Sequence, residues 1–219
     1  MKLRMETMLL EKMLERPDAY RLMEKMQTAL EQEQALRGHF YEVVEENRKM
    51  EFINGEIVFH SPVKKRHNSA TLYLAMIFET YAFSHDLGYV GVEKIMISLT
   101  RNDYEPDICF FREEVASQFA EDQMQFPAPD FVVEVLSPST EKHDRETKLV
   151  DYAAHGILEY WIVDPNRQTV EQYVLEGEFY ELVFKSTEGT IHCHQMTGLS
   201  FPVAAIFDRK VNQQVVRNL

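Results

Sequence analysis

Residues 129–148 read PDFVVEVLSPSTEKHDRETK and hold the strand and the start of the helix on which the predicted fold is centred. The apolar, β-branched run FVVEVLS predicts a buried strand. Residues 144–156 then predict a helix that stops at Gly156, and YWIVD predicts a second strand. Such a strand–helix–strand unit favours a right-handed parallel crossover. Glu134 interrupts the first strand, and burying a carboxylate costs several kcal/mol unless it is compensated, so we expect Glu134 to have a function.

The flanking sequence predicts a mixed α/β core with one central sheet. Asn54-Gly55 marks a hairpin, because both residues of a type I′ turn need positive φ. Residues 68–85 predict a helix of about five turns. Strands are predicted in YVGVEKIMISL, EPDICFF and TIHCHQM, and a second hairpin about Glu176-Gly177. The predicted helix of residues 68–85 has five residues at helical spacing, Leu72, Ala75, Met76, Glu79 and Phe83.

Residues 1–46 predict an amphipathic helical extension, and residues 47–219 the principal domain. Pro17 breaks the segment, Asp18 could cap the helix that follows, and Gly38 could kink it. Apolar residues recur at helical spacing at Leu22, Met26, Ala29, Leu30, Leu36, Phe40, Val43 and Val44. An apolar stripe needs a partner surface, so we expect this helix to pack on its own core or on a second copy in a homodimer.

Composition narrows the classes of function. The 219 residues carry 23 basic and 36 acidic side chains, a net charge of −13, which argues against a protein coated in nucleic acid. This net charge does not exclude a nuclease whose basic residues are local. Two basic clusters occur, at Lys64–His67 and at Lys142/Arg145/Lys148. Each cluster could be a solvated run or line a groove. No apolar stretch is long enough for a membrane span, and two cysteines outside any CxxC motif indicate a reduced, cytoplasmic protein.

Two carboxylates carry the predicted chemistry. Asp107 precedes ICFF and Glu134 lies within VVEVL, so neighbouring strands would bring them a few Å apart, since strands are about 4.8 Å apart. Their repulsion favours a cation between them, and Mg²⁺ or Mn²⁺ suits oxygen ligands. Lys148, one helix later, could orient the attacking water or hold phosphate charge. The alternative for Lys148 is an i,i+4 pair with Asp144 on the helix surface. No Walker or GxGxxG motif indicates a nucleotide cofactor.

YEPDICFF and PDFVVEVLSPSTEKHDRETKLVDYAAHGILEYWIVDP resemble the PD-(D/E)XK nuclease superfamily and, within it, the Uma-two family of restriction-endonuclease-like proteins. MEFINGEIVFHSPVKKRHN resembles that family's entry hairpin and first core helix. The likeness runs from about residue 47 to about residue 185. It implies a restriction-endonuclease-like α/β fold, with a mixed central sheet flanked by helices and an N-terminal helical extension.

The resemblance assigns roles to individual positions. Asp107 matches the superfamily's metal-binding aspartate, and Glu134 matches the acid of its (D/E)XK element. The superfamily's lysine would stand two residues beyond Glu134, where this chain has Leu136. In the Uma-two family that lysine lies on the following helix, which implies Lys148 here.

Three further residues are accessory candidates. Similar sequences carry a histidine at position 67, so His67 could contact phosphate or a second metal. It could equally be an exposed histidine at the start of a helix. Glu56 follows the Asn-Gly turn and could be an ordinary polar strand residue. Tyr152 lies one turn after Lys148 and could hydrogen-bond in the site or belong to the core.

The resemblance and the residues together predict a metal-dependent endonuclease that hydrolyses DNA phosphodiesters and binds DNA weakly and salt-sensitively. Two alternatives remain open. One is a catalytically inactive protein of the same fold that binds nucleic acid or serves as a protein-interaction module, which Leu136 and the charge of −13 favour. The other is a hydrolase for another phosphorylated substrate. Restriction-type enzymes often cut both strands as dimers, which also favours a homodimer.

Overall fold

The computed structural model describes residue 8, residues 10–45 and residues 48–219 of the chain. The helices are α1 (Ala19–Val43), α2 (Lys65–Ser84), α3 (Glu113–Ala116), α4 (Leu149–Ala154) and α5 (Arg209–Val216), with a π-helical turn at His143–Lys148 and a 3₁₀ turn at Val203–Ile206. The strands are β1 (Met50–Ile53), β2 (Glu56–Phe59), β3 (Gly88–Val92), β4 (Met96–Ser98), β5 (Asp103–Tyr104), β6 (Ile108–Arg112), β7 (Gln125–Phe126), β8 (Phe131–Val135), β9 (Glu159–Asp164), β10 (Thr169–Glu176), β11 (Phe179–Ser186), β12 (Thr190–His192) and β13 (Ser200–Pro202).

The six-stranded sheet has the order β11-β10-β9-β8-β6-β3 and forms the centre of the molecule. All five residues of β8 are buried, because the sheet is covered on both faces. Val133 packs toward α2 on one face, and Val132 packs near Tyr152 of α4 on the other. β8 and β9 are parallel and joined through the π-helical turn and α4, so the predicted parallel crossover is confirmed.

A second sheet has five strands in the order β2-β1-β5-β4-β7. It begins with the predicted hairpin, in which Asn54 and Gly55 have φ of 52° and 87°. We expected one central sheet, but this second sheet lies beside it, and the chain passes between the two sheets five times. Two of these crossings bear on the site. The chain leaves the six-stranded sheet between β3 and β4 at Glu93, and returns between β5 and β6 at Asp107. The Glu93 amide donates to the Asp107 carbonyl over 2.9 Å, so the two crossings lie side by side.

Helix α2 buries a different face from the one its spacing suggested. Leu72, Met76 and Phe83 are exposed, whereas the inner face carries Leu74 and Phe78. The helix is apolar on several faces, so periodicity alone does not select one. Packing against the sheet selects it: the Phe78 ring makes edge contacts with the rings of Phe131 and Trp161.

Helix α1 rests on the five-stranded sheet only through its last turns. Of the predicted apolar stripe, Phe40 is fully buried, while Met26, Leu30 and Leu36 are exposed. Asp18 pairs with Arg16 and gives the helix no side-chain cap. The helix continues through Gly38. The predicted domain boundary between residues 46 and 47 lies outside the described residues and stays a prediction. Within the described chain no helix combines the length and apolarity needed to cross a bilayer.

Candidate active site

Asp107 lies where the two sheets meet and is the centre of the candidate site. β6 and β8 are antiparallel neighbours, with Ile108 opposite Val133, so Asp107 comes next to the end of β8. Its Oδ2 accepts a hydrogen bond from the Val135 amide over 2.8 Å. Its Oδ1 accepts one from Lys49 Nζ over 2.8 Å.

Three potential metal ligands converge here. The ligand atoms of His67, Glu93 and Asp107 all lie within 4.8 Å of one another. His67 Nε2 is 3.3 Å from Asp107 Oδ2. Within the described residues, the buried Nδ1 of His67 has no hydrogen-bond partner. Glu93 reaches the site from the other sheet crossing, where its φ is 63°. His67 is therefore not the exposed helix-start histidine considered as an alternative.

The ammonium group of Lys49 lies between the carboxylates of Asp107 and Glu93, where a bound cation would lie. Lys49 Nζ lies 2.8 Å from Asp107 Oδ1 and 3.3 Å from Glu93 Oε2. Burial alone would raise the pKa of Asp107, but Lys49 and His67 outweigh it and hold that pKa well below its usual range. Burial conversely acts to lower the pKa of Lys49, and Asp107 and Glu93 raise it instead. Both groups are therefore ionised at neutral pH, and the carboxylates face a positive charge.

A second cluster forms around Lys148, which is 1% exposed. Its Nζ lies 2.9 Å from Glu134 Oε1, 2.9 Å from Glu51 Oε1 and 3.3 Å from Asp144 Oδ1. Burial would lower the pKa of Lys148, but these three carboxylates hold it well above its usual value. The pairing with Asp144 exists, but the idea that it lies on the helix surface is wrong, because both residues are buried.

The π-helical turn explains how one short segment brings Asp144 and Lys148 into this cluster. The turn spans His143–Lys148, and both residues are its buried members. A π-turn changes the angular spacing of side chains relative to an α-helix, and such turns are frequent at functional sites. The sequence predicted a helix here but not this distortion.

Glu134 is held in place through one of its oxygens. Oε1 accepts hydrogen bonds from Lys148 and from the Tyr152 hydroxyl, each over 2.9 Å. Burial raises the pKa of Glu134 to about 8, against the opposing charge of Lys148 and with help from nearby Asp144. Tyr152 is fully buried, so the two roles considered for it coincide: it is a core residue whose hydroxyl binds in the site.

Glu51 is a functional candidate that the sequence reasoning missed. Its Oε1 accepts from Lys148 Nζ over 2.9 Å and from the Glu105 amide over 3.0 Å, and its Oε2 lies 3.0 Å from His60 Nε2. Burial would raise the pKa of Glu51, but Lys148 and His60 lower it to about 2. A signal was available, because Glu51 sits between Met50 and Phe52 as Glu134 sits between two valines.

Asp107, Glu134 and Lys148 all line one cleft of about 620 Å³. His67 lines it as well. Glu56 is exposed at the start of β2 and does not line the cleft, because it is four residues, or about 13 Å of strand, before His60 at the cleft wall.

Leu136, which stands where the superfamily carries its lysine, is a buried core residue. Its side chain belongs to the apolar cluster beneath α4. No ammonium stands at that position, so the site's cations come from Lys49 and Lys148.

The two predicted basic clusters have different environments. Lys64 and Arg66 are exposed on the rim of the cleft. Arg145, by contrast, pairs with Glu171 and Glu141, and Lys148 is buried. The second cluster therefore offers the cleft little free positive charge.

Comparisons with known proteins agree with this architecture. The Uma2 family, described as "Putative restriction endonuclease", matches residues 34–204. The "Uncharacterized protein slr1290" of Synechocystis sp. (strain ATCC 27184 / PCC 6803 / Kazusa) is 28% identical over 169 residues, which cover 74% of this chain and 85% of the relative. The structure of "a putative nuclease belonging to DUF820 from Anabaena variabilis ATCC 29413" superposes with a TM-score of 0.67 at 19% identity, covering 77% of this chain and 94% of the other.

The structural likeness confirms the predicted fold class, a mixed α/β fold of the restriction-endonuclease-like type. The family match covers most of the chain and confirms the predicted resemblance. The chain therefore belongs to the Uma2 family, and family and fold together support a nuclease-type function.

Proposed function

We propose that the protein is a divalent-metal-dependent endonuclease that hydrolyses phosphodiester bonds of DNA. The observation that carries the proposal is the convergence of His67, Glu93 and Asp107, whose ligand atoms lie within 4.8 Å of one another in the wall of a cleft. Glu134 and Lys148 line the same cleft.

The residues present fit Mg²⁺ or Mn²⁺. Two carboxylates supply the oxygen ligands that these hard cations prefer, and an imidazole is also acceptable to Mn²⁺. Lys49 Nζ bridges Asp107 and Glu93, so the position between these carboxylates already accommodates positive charge. The ring of His67 also offers a nitrogen, because its buried Nδ1 has no hydrogen-bond partner among the described residues. Bound there, the metal would polarise the scissile phosphate and lower the pKa of a coordinated water.

The chain's own residues would then position the substrate and receive protons. The Val135 amide orients Asp107 through a 2.8 Å hydrogen bond. Lys148 and Tyr152 hold Glu134 Oε1, while Oε2 makes no hydrogen bond with the described chain. We assign Glu134 Oε2, in the ionised form that predominates above about pH 8, as the acceptor for a proton from the attacking water. Lys148 acts as a positioning residue through Glu134, because it is buried among carboxylates.

The cleft rim suits a phosphodiester substrate. Arg48, Lys64 and Arg66 are exposed there and carry positive charge beside the proposed metal ligands. The chain as a whole carries −13, so long-range attraction to DNA is weak. Binding should therefore depend on these local cations and fall steeply with salt.

The test is nicking of supercoiled plasmid DNA with Mg²⁺ or Mn²⁺. We expect cleavage by the wild type, none in the presence of EDTA, and none by Asp107→Asn or Glu93→Gln. Glu56→Gln is the matched control, because Glu56 is exposed outside the cleft. Circular dichroism melting verifies that the variants fold. Cleavage that survives both site substitutions would reject the site.

A specific observation favours the second candidate function, a nuclease fold without catalysis. Lys49 and Lys148 already neutralise much of the carboxylate charge, so the site is balanced without a metal. Calorimetric titration with millimolar Mg²⁺ and Mn²⁺ distinguishes the two: saturable heat supports the nuclease, and its absence supports a nucleic-acid-binding or protein-interaction module.

We also propose that α1 mediates homodimer formation and that residues 1–46 form an extension to the domain of residues 47–219. Tyr20, Met23, Met26 and Leu30 are exposed on α1, and such an apolar stripe needs a partner surface. Sedimentation equilibrium should give a dimer at micromolar concentration. A monomer would reject this assignment.

A further inference from the structure

We propose that a second groove, beside the catalytic cleft, binds the phosphodiester backbone of the nucleic acid where it continues away from the scissile phosphate. The proposal rests on the function proposed above and extends it to a named surface. The groove has a volume of about 730 Å³. Its walls come from the first turns of α2 and from the segment that leads into α5, including Lys65, Tyr73 and Arg209.

The second groove is continuous with the catalytic cleft. Lys64, Arg66 and Pro165 line both of them. A nucleic-acid strand whose scissile phosphate lies at the proposed metal site beside Asp107 would therefore pass these shared residues as it leaves the cleft. Lys64 and Arg66 stand at the crossing point, so a phosphate there would meet positive charge.

The distribution of charge distinguishes this surface from the rest of the molecule. In the linings of the two grooves five lysines and arginines are exposed, against one exposed acidic residue, Asp208. In a protein of net charge −13 this is a marked local excess of positive charge. Such a local basic surface on an acidic protein is typical of a binding site for a polyanion such as nucleic acid.

The basic side chains of the second groove are exposed and available. Lys64, Lys65, Arg66 and Arg209 are all exposed, and none of them forms a side-chain ion pair with the described residues. Asp208 is the one acidic residue of this lining. Its Oδ1 is occupied by the amides of its own helix, Lys210 over 2.7 Å and Val211 over 3.1 Å.

The start of α2 adds to the attraction. Helix α2 is 20 residues long, and it has neither a side-chain cap at Lys64 nor an acidic residue in its first turn. Its free amides and the positive end of its dipole therefore face the solvent beside Lys64, Lys65 and Arg66. Helix N-termini of this kind favour phosphate oxygens.

The groove is held in shape by a buried contact between its two walls. Asn212 is 1% exposed, and its Nδ2 donates to the Tyr73 carbonyl over 2.8 Å and to the Ala205 carbonyl over 3.2 Å. This ties α5 to α2, so binding needs little reorganisation of the walls. Tyr73 lines the groove near the cations and can present a ring to a base.

The test measures DNA binding without cleavage. In an Asp107→Asn background and without metal, fluorescence anisotropy gives the Kd of a labelled DNA duplex and of the matching single strand from about 50 to 200 mM salt. The double charge reversal Lys65→Glu/Arg209→Glu should weaken binding about tenfold and lower the salt slope by nearly 2, since each phosphate contact contributes about 0.9. The matched control is Lys25→Glu/Lys142→Glu, which makes the same charge change at exposed positions outside both grooves.

Each outcome decides the proposal. A loss confined to the duplex, or to the single strand, supports it and identifies the form that the groove takes. Equal effects of the two double variants, or no DNA binding by the parent, would overturn it. Binding that follows this pattern while the wild type fails to nick plasmid DNA would retain the groove and reject the hydrolytic function, so the two proposals fail separately.

Discussion

Replacing Lys148 with methionine should destabilise the fold strongly, because it removes the cation shared by three buried carboxylates. Methionine keeps an unbranched side chain of similar length, so the change leaves little cavity. Removing one partner of a buried ion pair typically costs about 3–5 kcal/mol. Here Glu51, Glu134 and Asp144 would all lose their contact with Lys148 Nζ, at 2.9, 2.9 and 3.3 Å. We therefore expect a loss of about 4 kcal/mol, within that range.

The loss is measured by urea unfolding followed through the fluorescence of Trp161, the chain's single, fully buried tryptophan. With a denaturant slope of about 2 kcal/mol/M, a loss of about 4 kcal/mol lowers the midpoint by about 2 M. The matched control is Arg145→Met in the same π-helical turn. Arg145 is 28% exposed at its side chain and pairs with Glu171, so its loss should cost about 1 kcal/mol or less.

The cost of Lys148→Met should also depend on pH. In the wild type the pKa of Glu134 is raised to about 8, so the folded state holds a proton that the unfolded carboxyl releases near pH 4.5. Between these values the contribution of Glu134 to stability falls as pH rises. Without the ammonium the pKa values of these carboxyl groups rise further. The difference in the free energy of unfolding between wild type and variant should therefore grow from about pH 5 to about pH 9. Equal losses for the two variants, or a deficit independent of pH, would refute this account of the cluster.

Three further predictions concern other charged groups. Arg37→Met should cost about 3–5 kcal/mol in urea unfolding, because the buried guanidinium makes two bonds to Asp103, at 2.7 and 2.8 Å; a loss below about 1 kcal/mol contradicts it. Lys49→Gln should tighten Mn²⁺ binding several-fold in calorimetry, because its ammonium competes for Asp107; weaker binding would show that it assists the metal. Glu171 has a lowered pKa, so its stabilisation is present above the unfolded pKa near 4.5 and is lost as pH falls through the folded pKa. Wild type and Glu171→Gln should converge in stability at acid pH, and a constant gap would contradict this.

Local sequence was sufficient for the elements whose signals are short-range. The run around Glu134 predicted β8, Asn54-Gly55 predicted the first hairpin, and the segment ending at Gly156 predicted the crossover to β9. Each depends on turn chemistry or on periodicity within a few residues. The fold class followed from the order of these elements and from the resemblance they carry.

The candidate site was only partly accessible from the sequence, because its members meet through long-range packing. Glu93 and Asp107 come together where the chain crosses between two sheets, and a division into two sheets has no local signature. His67 turns inward because α2 packs on the central sheet, which periodicity did not reveal. Glu51 could have been predicted, since it interrupts an apolar strand in the same way as Glu134 does.

The most direct test of the central claim is a manganese-soaked crystal examined by anomalous scattering. We expect one strong anomalous peak within bonding distance of Asp107 and Glu93 and beside His67, with Lys49 Nζ displaced from Asp107. A crystal with manganese bound elsewhere, or with no peak here and Lys49 still bridging the two carboxylates, would contradict it.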